Sequence, residues 1–260
     1  VAALPGDTGD PEQMVTVNVL GLAHVLNYAR QHGGSRVVIS SSISSYEWYP
    51  GTKFKAPDYQ PVDEDHPCRP RDIYSTSKRM QELLGLTFFH QYDLPVVALR
   101  LTAVIGPRGK GGGRGWRDFA EKLEEGISVQ IPHFSMDEVC HYIDYRDVAG
   151  MNIAAGEHPD APGQIFNCCG PDSISGREFA EIIQRNFPGI EVETGFPWSM
   201  AQGEKIRFSM EKAKNMIGFE PEYSVEDSMI AIKEWIEGGG LDTDPSQAAD
   251  KSFSKGVQSD

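Results

Sequence analysis

Asp72-Ile-Tyr-Ser-Thr-Ser-Lys78, read together with the serine-ended apolar run Val37-Val-Ile-Ser-Ser-Ser42 ahead of it, decides the fold class of this chain. On a helix, positions i and i+4 share a face, so the Lys78 ammonium is expected beside the Tyr74 phenol, where it favours the ionised form. A tyrosine that ionises near neutral pH can act as acid or base toward a hydroxyl. The run 37–42 reads as a buried strand, and residues at the carboxyl end of a parallel strand face the crevice where ligands bind. Ser42 is placed there, with Ser41 and Ser40 as its nearest alternatives. A Tyr-x-x-x-Lys pair alone arises often by chance on exposed helix faces, so its weight comes from the segments around it.

Working outward, helix and strand signals alternate, the pattern of a parallel sheet with crossovers. Asp10-Pro11 opens a helix whose apolar residues Met14, Val17, Leu20, Val25 and Leu26 are expected to face inward until Gly33-Gly34 stops it. The Tyr/Lys helix is predicted over 72–92 and the next strand over 95–101. Residues 47–71, rich in Pro and acids, read as a long surface loop over the pocket. After Pro107 the chain leaves the sheet for a smaller lobe that begins with a helix near 116–125, and it returns to the sheet near 141–150 and 163–170. Ser175-Gly-Arg-Glu178 has the form of a capping box. Helices near 210–217 and 225–237 finish the lobe, and 241–260 read as a disordered tail.

Composition sets bounds. The 260 residues suffice for one large or two modest domains with a real core. A formal charge of -14 argues against nucleic acid or an anionic membrane as partner, since both need a basic face. No apolar run reaches the length of a membrane span. Cys68, Cys140, Cys168 and Cys169 show neither metal-ligand nor disulfide spacing, and reduced thiols in a cytoplasmic protein are expected. His24 and His90 have no second ligand at metal spacing, and no metal site is expected. Asp63-Glu-Asp65 reads as a solvated turn, and Trp116 and Trp198 as core packing.

Several segments in order carry a family resemblance: Asn18-Val-Leu-Gly21, Ser40-Ser-Ser-Ile-Ser-Ser-Tyr46, Tyr74-Ser-Thr-Ser-Lys78, Leu99-Arg-Leu-Thr-Ala-Val-Ile-Gly-Pro107, Tyr142-Ile-Asp-Tyr-Arg-Asp-Val148 and the stretch Phe208 to Pro221. Up to about Gly238 the chain resembles the extended short-chain dehydrogenase/reductases, the NAD-dependent epimerase/dehydratase group. The resemblance implies an α/β fold: a Rossmann-like parallel sheet, here missing its first βα units, with a smaller C-terminal α/β substrate lobe. The partial cofactor domain would span 1–107 and the lobe 108–240. The family's Gly-x-x-Gly-x-x-Gly turn is not in this sequence, and the glycine run Gly109 to Gly115 lacks the Lys-Ser/Thr ending of a P-loop. The opening Val1-Ala-Ala-Leu resembles the end of the family's fourth strand, so about 60 to 70 residues are expected to precede it.

The same resemblance implies NAD or NADP as cofactor, a sugar or other secondary alcohol as substrate, and a homodimer. Tyr74 would exchange the proton of the substrate hydroxyl, and Lys78 would hold the phenolate and the nicotinamide ribose. Ser42 would polarise the reacting oxygen, being four positions before Tyr46 as in the family's Ser-x-x-x-Tyr pattern. Asn18 would support the lysine through backbone and water contacts. Cofactor contacts are implied at Ala2, Ala3, Ser40, Ser41, Tyr74, Lys78 and Leu101, and substrate contacts at Ser42, Ala103 and Arg207.

Three departures narrow the chemistry. Ala103 stands where nucleotide-sugar epimerases carry asparagine, and Cys140 where they carry arginine; both of those residues grip a diphosphate. Arg108, Lys110, Arg114, Arg117 and Arg207 are the candidates to compensate, against a plain solvated loop. Ile43-Ser44 replace the Asp-Glu pair of sugar 4,6-dehydratases, which disfavours dehydration. The expected activity is NAD(P)-dependent epimerisation or oxidoreduction at a secondary alcohol; the competing reading is a noncatalytic dinucleotide-binding or regulatory protein of the same fold.

Overall fold

The computed structural model describes residues 3–4, 10–34, 36–46, 61–70, 72–107, 115–133, 135–195 and 207–242. The sequence-predicted segments 47–60, 108–114 and 243–260, with Ala2 and Trp198, lie outside them.

Asp10 caps α1 (Pro11–Val15), accepting from the Glu12 amide, and Pro11 takes the first helical position, where its missing N–H is no loss. A single π turn, Thr16–Leu20, joins it to α2 (Gly21–Gln31). The extra residue of that turn rotates the inward face. Met14, Asn18, Leu22 and Leu26 are buried at a spacing of four, while Leu20 and Val25, expected inside, are exposed. The helix ends before Gly33 and Gly34, both at positive φ, where a side chain would be strained.

β1 (Val37–Ser42) runs parallel to β2 (Val96–Leu101), in register from Val37 opposite Val96 to Ser42 opposite Leu101. Between them lies α3 (Ile73–Tyr92). Period-two alternation divides β2 between two layers. Val96 and Ala98 pack with Leu22, Leu26 and Ile39 under α2 and α3. Val97 and Leu99 join a second core on the opposite face.

At Thr102 the chain changes partner. β2 stops, Thr102 N–H bonds the Cys168 carbonyl, and β3 (Ala103–Ile105) continues beside a different strand. α4 (Gly115–Glu125) and β4 (Val129–Ile131) follow, then β5 (Val139–Asp144) and α5 (Tyr145–Glu157). β6 (Ile165–Cys168) returns to the main sheet, giving the order β1-β2-β6. The expected return near 141–144 goes elsewhere: β5 pairs with β3 and with β7 (Ser173–Ser175). α6 (Gly176–Asn186), β8 (Val192–Thr194), α7 (Glu211–Ile217) and α8 (Val225–Glu237) follow, and a 3₁₀ turn, Gly240–Asp242, ends the described chain, so the expected tail begins in ordered structure at 241–242.

α5 contributes Met151 and Ala155 and α7 contributes Ala213 and Ile217 to the second core, so the parallel sheet has helices on both faces. The lobe core is separate: Trp116, Phe119, Phe179, Ile183, Met229 and Ile232 gather under the lobe strands. α6 begins in the expected capping box of Ser175 and Glu178, and α8 in a second, formed by Ser224 and Asp227. Among the described residues no helix is long and apolar enough to cross a membrane, and no cluster of His, Cys, Asp and Glu could hold a metal.

Candidate active site at the carboxyl end of β1

Asp72 fixes the start of α3. Its carboxylate accepts from the Ser75 amide (2.6 Å) and the Ser75 hydroxyl (2.9 Å), which sets the rotation of the first turn. Tyr74 and Lys78 then face the end of β1. There Ser42 leaves the strand for a short 3₁₀ turn, Ile43–Ser45, and its Oγ accepts the Ser44 amide (3.2 Å) and hydroxyl (3.0 Å). Neither Ile43 nor Ser44 brings an acid to this turn.

The Tyr74 phenol lies beside the Ser42 hydroxyl, close enough for Ser42 to favour its ionised form. Lys78 is buried, with its Nζ 5.6 Å from the centre of the Tyr74 ring, and it donates to the Ser40 carbonyl at 2.7 Å. The electrostatics differ from the simple i, i+4 expectation. Burial pushes the Tyr74 phenol above its ordinary value; the Ser42 hydroxyl pulls it down and Asp72 raises it. Burial also brings Lys78 down to about 8, against the opposing pull of Glu82. Desolvation outweighs the lysine, so the phenol is protonated at neutral pH as the site stands.

Asn18 does not contact Lys78 through a hydrogen bond. Its side-chain oxygen accepts the Leu4 amide (2.7 Å), while Nδ2 lies within reach of the Leu4 carbonyl (3.2 Å), the Met14 sulfur (3.0 Å) and Ser77 Oγ (2.9 Å). Its backbone carbonyl accepts Gln81 Nε2 at 2.6 Å, which occupies the atom expected to serve the lysine. Asn18 thus ties the segment at Leu4 to α3 beside Lys78.

The remaining expected contacts divide. Ser40 and Ser41 lie at the site, and Leu101 is directly opposite Ser42. Ala3 is half-buried near the Leu4 bracket. Ala103 is buried in the lobe core on β3, and Arg207 is exposed beside the Val62 segment, where its carbonyl accepts the Val62 amide. Arg117 is engaged by Glu121 (2.9 Å) and the Leu241 carbonyl (2.6 Å), so it ties α4 to the segment after α8. Cys140 faces the same core with its thiol toward the Pro132 carbonyl, and burial pushes it up to about 12. Asp144 caps α5, and Asp147 accepts from the Glu222 and Tyr223 amides, pinning the approach to α8.

Sequence reasoning missed a buried polar network beneath the site. Glu82 and Arg100 form a two-pronged ion pair, Nε to Oε1 and Nη2 to Oε2, both 2.9 Å. Arg100 lies over the Tyr46 ring at 4.4 Å, and Tyr46 donates to Asn167 (2.7 Å). Asn167 N–H is bonded in turn by Glu64 (2.7 Å), so the middle acid of the expected solvated turn points inward. Two signals were available: Glu82 follows Lys78 by one helical turn, and Arg100 interrupts an apolar strand, where a buried guanidinium must find a carboxylate.

Comparison with known proteins gives consistent similarities. The model of the NAD dependent epimerase/dehydratase family matches residues 1–169. The chain is 22% identical to a probable UDP-glucuronate 4-epimerase of Rhizobium meliloti, covering 88% of this chain and 70% of that protein. A UDP-glucose 4-epimerase structure from Thermotoga maritima superposes with a TM-score of 0.78 at 21% identity, over 92% of this chain and 76% of that one. A partial consensus L-threonine 3-dehydrogenase gives a TM-score of 0.78 at 20% identity, over 92% and 78%. These two structures share the fold.

Proposed function

The chain belongs to the NAD dependent epimerase/dehydratase family, and from that premise we propose that it is an NAD(P)-dependent epimerase acting at a secondary alcohol of a sugar or sugar nucleotide. The observation that carries this is the convergence of Ser42, Tyr74 and Lys78 at the carboxyl end of β1, where open α/β sheets bind ligands.

The donor set fits a dinucleotide ribose. An ammonium has three N–H donors, and Lys78 uses one on Ser40, leaving two without a partner among the described residues. A bound oxidised nicotinamide would supply a hydride acceptor and a positive charge. Tyr74 would take the proton of the substrate hydroxyl through its Oη and return it after the sugar carbon presents its other face. Ser42 would bind the same oxygen and hold it against Tyr74. Because burial keeps the phenol protonated, Tyr74 is poised as the acid and becomes a base only when positive charge gathers near it.

The likeness to UDP-glucuronate and UDP-glucose 4-epimerases supports a nucleotide sugar as substrate. The buried thiol of Cys140 offers a diphosphate no charge, so its grip would come from other cations of the chain. Exposed apolar side chains on α2 and α3, among them Val25, Tyr28 and Leu83, support a homodimer formed through these helices.

The test is to express the complete reading frame and incubate it with NAD or NADP and with UDP-glucose or UDP-glucuronate, following sugar configuration by proton NMR. Interconversion of two epimers is expected, with Tyr74→Phe slower by at least about a hundredfold while its thermal melt is unchanged. Accumulation of reduced cofactor would make it a dehydrogenase instead. Failure to bind either dinucleotide would refute both.

A further inference from the structure

Glu82 is fully buried one helical turn beyond Lys78, and the proposed chemistry leaves it without a role. Its carboxylate is saturated. Oε1 accepts Ser41 Oγ (2.5 Å) and Arg100 Nε (2.9 Å), and Oε2 accepts Arg100 Nη2 (2.9 Å) and Arg79 Nη1 (2.7 Å). Ser41 is the central residue of the three on β1 that α3 holds. Lys78 bonds the carbonyl of Ser40, Glu82 bonds the hydroxyl of Ser41, and Tyr74 meets the hydroxyl of Ser42.

We infer that Glu82 is a positioning residue: with Arg100 as its counter-ion it clamps Ser41, and thereby sets the end of β1 at the distance from α3 that Ser42, Tyr74 and Lys78 require. The kinetic consequence rests on the epimerase reading, whereas the clamp itself does not.

Two physical points support the assignment. A carboxylate offers about four acceptor sites, and all are used here, so an amide in its place would aim an NH₂ group at guanidinium donors. A displacement of about 1 Å at reacting groups costs on the order of a hundredfold in rate, so the side-chain rungs between α3 and the end of β1 bear directly on the chemistry. Electrostatics adds a second consequence. Among the described residues the groups facing Lys78 are Tyr74 and Glu82 on its own helix and the Ser40 carbonyl on β1, and Glu82 supplies the negative charge that favours its charged form. Arg79 and Arg100 are turned to Glu82.

The experiment compares wild type, Glu82→Gln and Ser41→Ala in the full-length protein. Epimerisation of UDP-glucose with NAD gives kcat and KM, and amine labelling of Lys78 across pH, located by mass spectrometry, gives its titration independently of activity. In Glu82→Gln, kcat is expected to fall about tenfold to a hundredfold with KM nearly unchanged, and the Lys78 labelling midpoint to move to lower pH. Ser41→Ala removes one rung without stranding a charge; it is expected to melt like wild type, lose kcat to a smaller extent and label faster at Lys78. A folded Glu82→Gln with wild-type kcat and labelling overturns the inference. If that variant does not fold, Ser41→Ala decides: wild-type kcat and labelling overturn the clamp. If wild type turns over no nucleotide sugar, the epimerase reading fails, and the labelling of both variants still judges Glu82.

Discussion

The two buried regions of this molecule are built from opposite chemistries. Beneath the end of β1, five side chains with at most 3% exposure form one polar network: Ser41, Tyr46, Glu82, Arg100 and Asn167. Under the lobe strands, Trp116, Phe119, Phe179, Ile183, Met229 and Ile232 form an apolar core, with the His133 ring tilted against Tyr142 and edge-on to Phe179. Apolar burial is non-directional and stabilises wherever area is removed from water, whereas a buried ion pair loses much of its attraction to desolvation and gives fixed geometry in return. The polar network lies where groups must be held at set distances. The apolar core lies where only a shape has to be maintained.

The largest effect expected from this contrast comes from splitting the ion pair. Arg100→Met strips the buried Glu82 carboxylate of its two-pronged partner and leaves it only the partly exposed Arg79, and should cost about 3 kcal/mol in urea unfolding. Replacing both residues by methionine should recover most of that, since hydrophobic substitutes for a buried pair are often neutral. A double variant as unstable as the single one would mean that the network is a source of stability, and the contrast between the regions would collapse.

The second effect belongs to the lobe and runs with pH. Burial brings His133 down from 6.5 to about 4, against a weaker opposing hydrogen bond to the Ile174 carbonyl. With the folded value depressed, the unfolded chain binds a proton first as pH falls from about 6.5, so stability is lost through the window down to about 4. By pH 4 this amounts to roughly 3 kcal/mol. Thermal melts of wild type and His133→Gln between pH 7 and 4 measure it, and the variant should show the flatter decline. Equal slopes would place the acid sensitivity among the carboxylates instead.

The split between regions also explains which parts were legible in the sequence. Local signals gave the ends of α3 to within a residue, the Asp10 start of α1 and the Ser175 capping box, because each depends on a few adjacent residues. The π turn at Thr16–Leu20 was not legible, since one inserted residue changes the period on which an inward face is read. The switch of partner at Thr102 was hidden as well: it depends on a bond to Cys168, far along the chain. At the site, residue types and spacing brought Ser42, Tyr74 and Lys78 together, yet the phenol's protonation was misjudged because spacing carries no information about desolvation. Asn18, Glu64 and Asp147 each found partners that only the tertiary fold supplies.

The smallest effect compares two minimal truncations. Ile183→Val removes one methylene from a fully buried lobe position, and should cost about 1 kcal/mol through lost transfer energy and a small cavity. Ser41→Ala removes one oxygen from an equally buried position, but its partner Glu82 keeps Arg79 and Arg100, so little stability should be lost. Turnover should respond in the reverse order, with kcat unchanged for Ile183→Val and reduced for Ser41→Ala. Paired unfolding curves and rates test this crossing. If both variants move stability and rate in proportion, the polar network acts as ordinary core and Ser41 has no positional role. If the two quantities separate, the end of β1 is held for geometry and the lobe for stability.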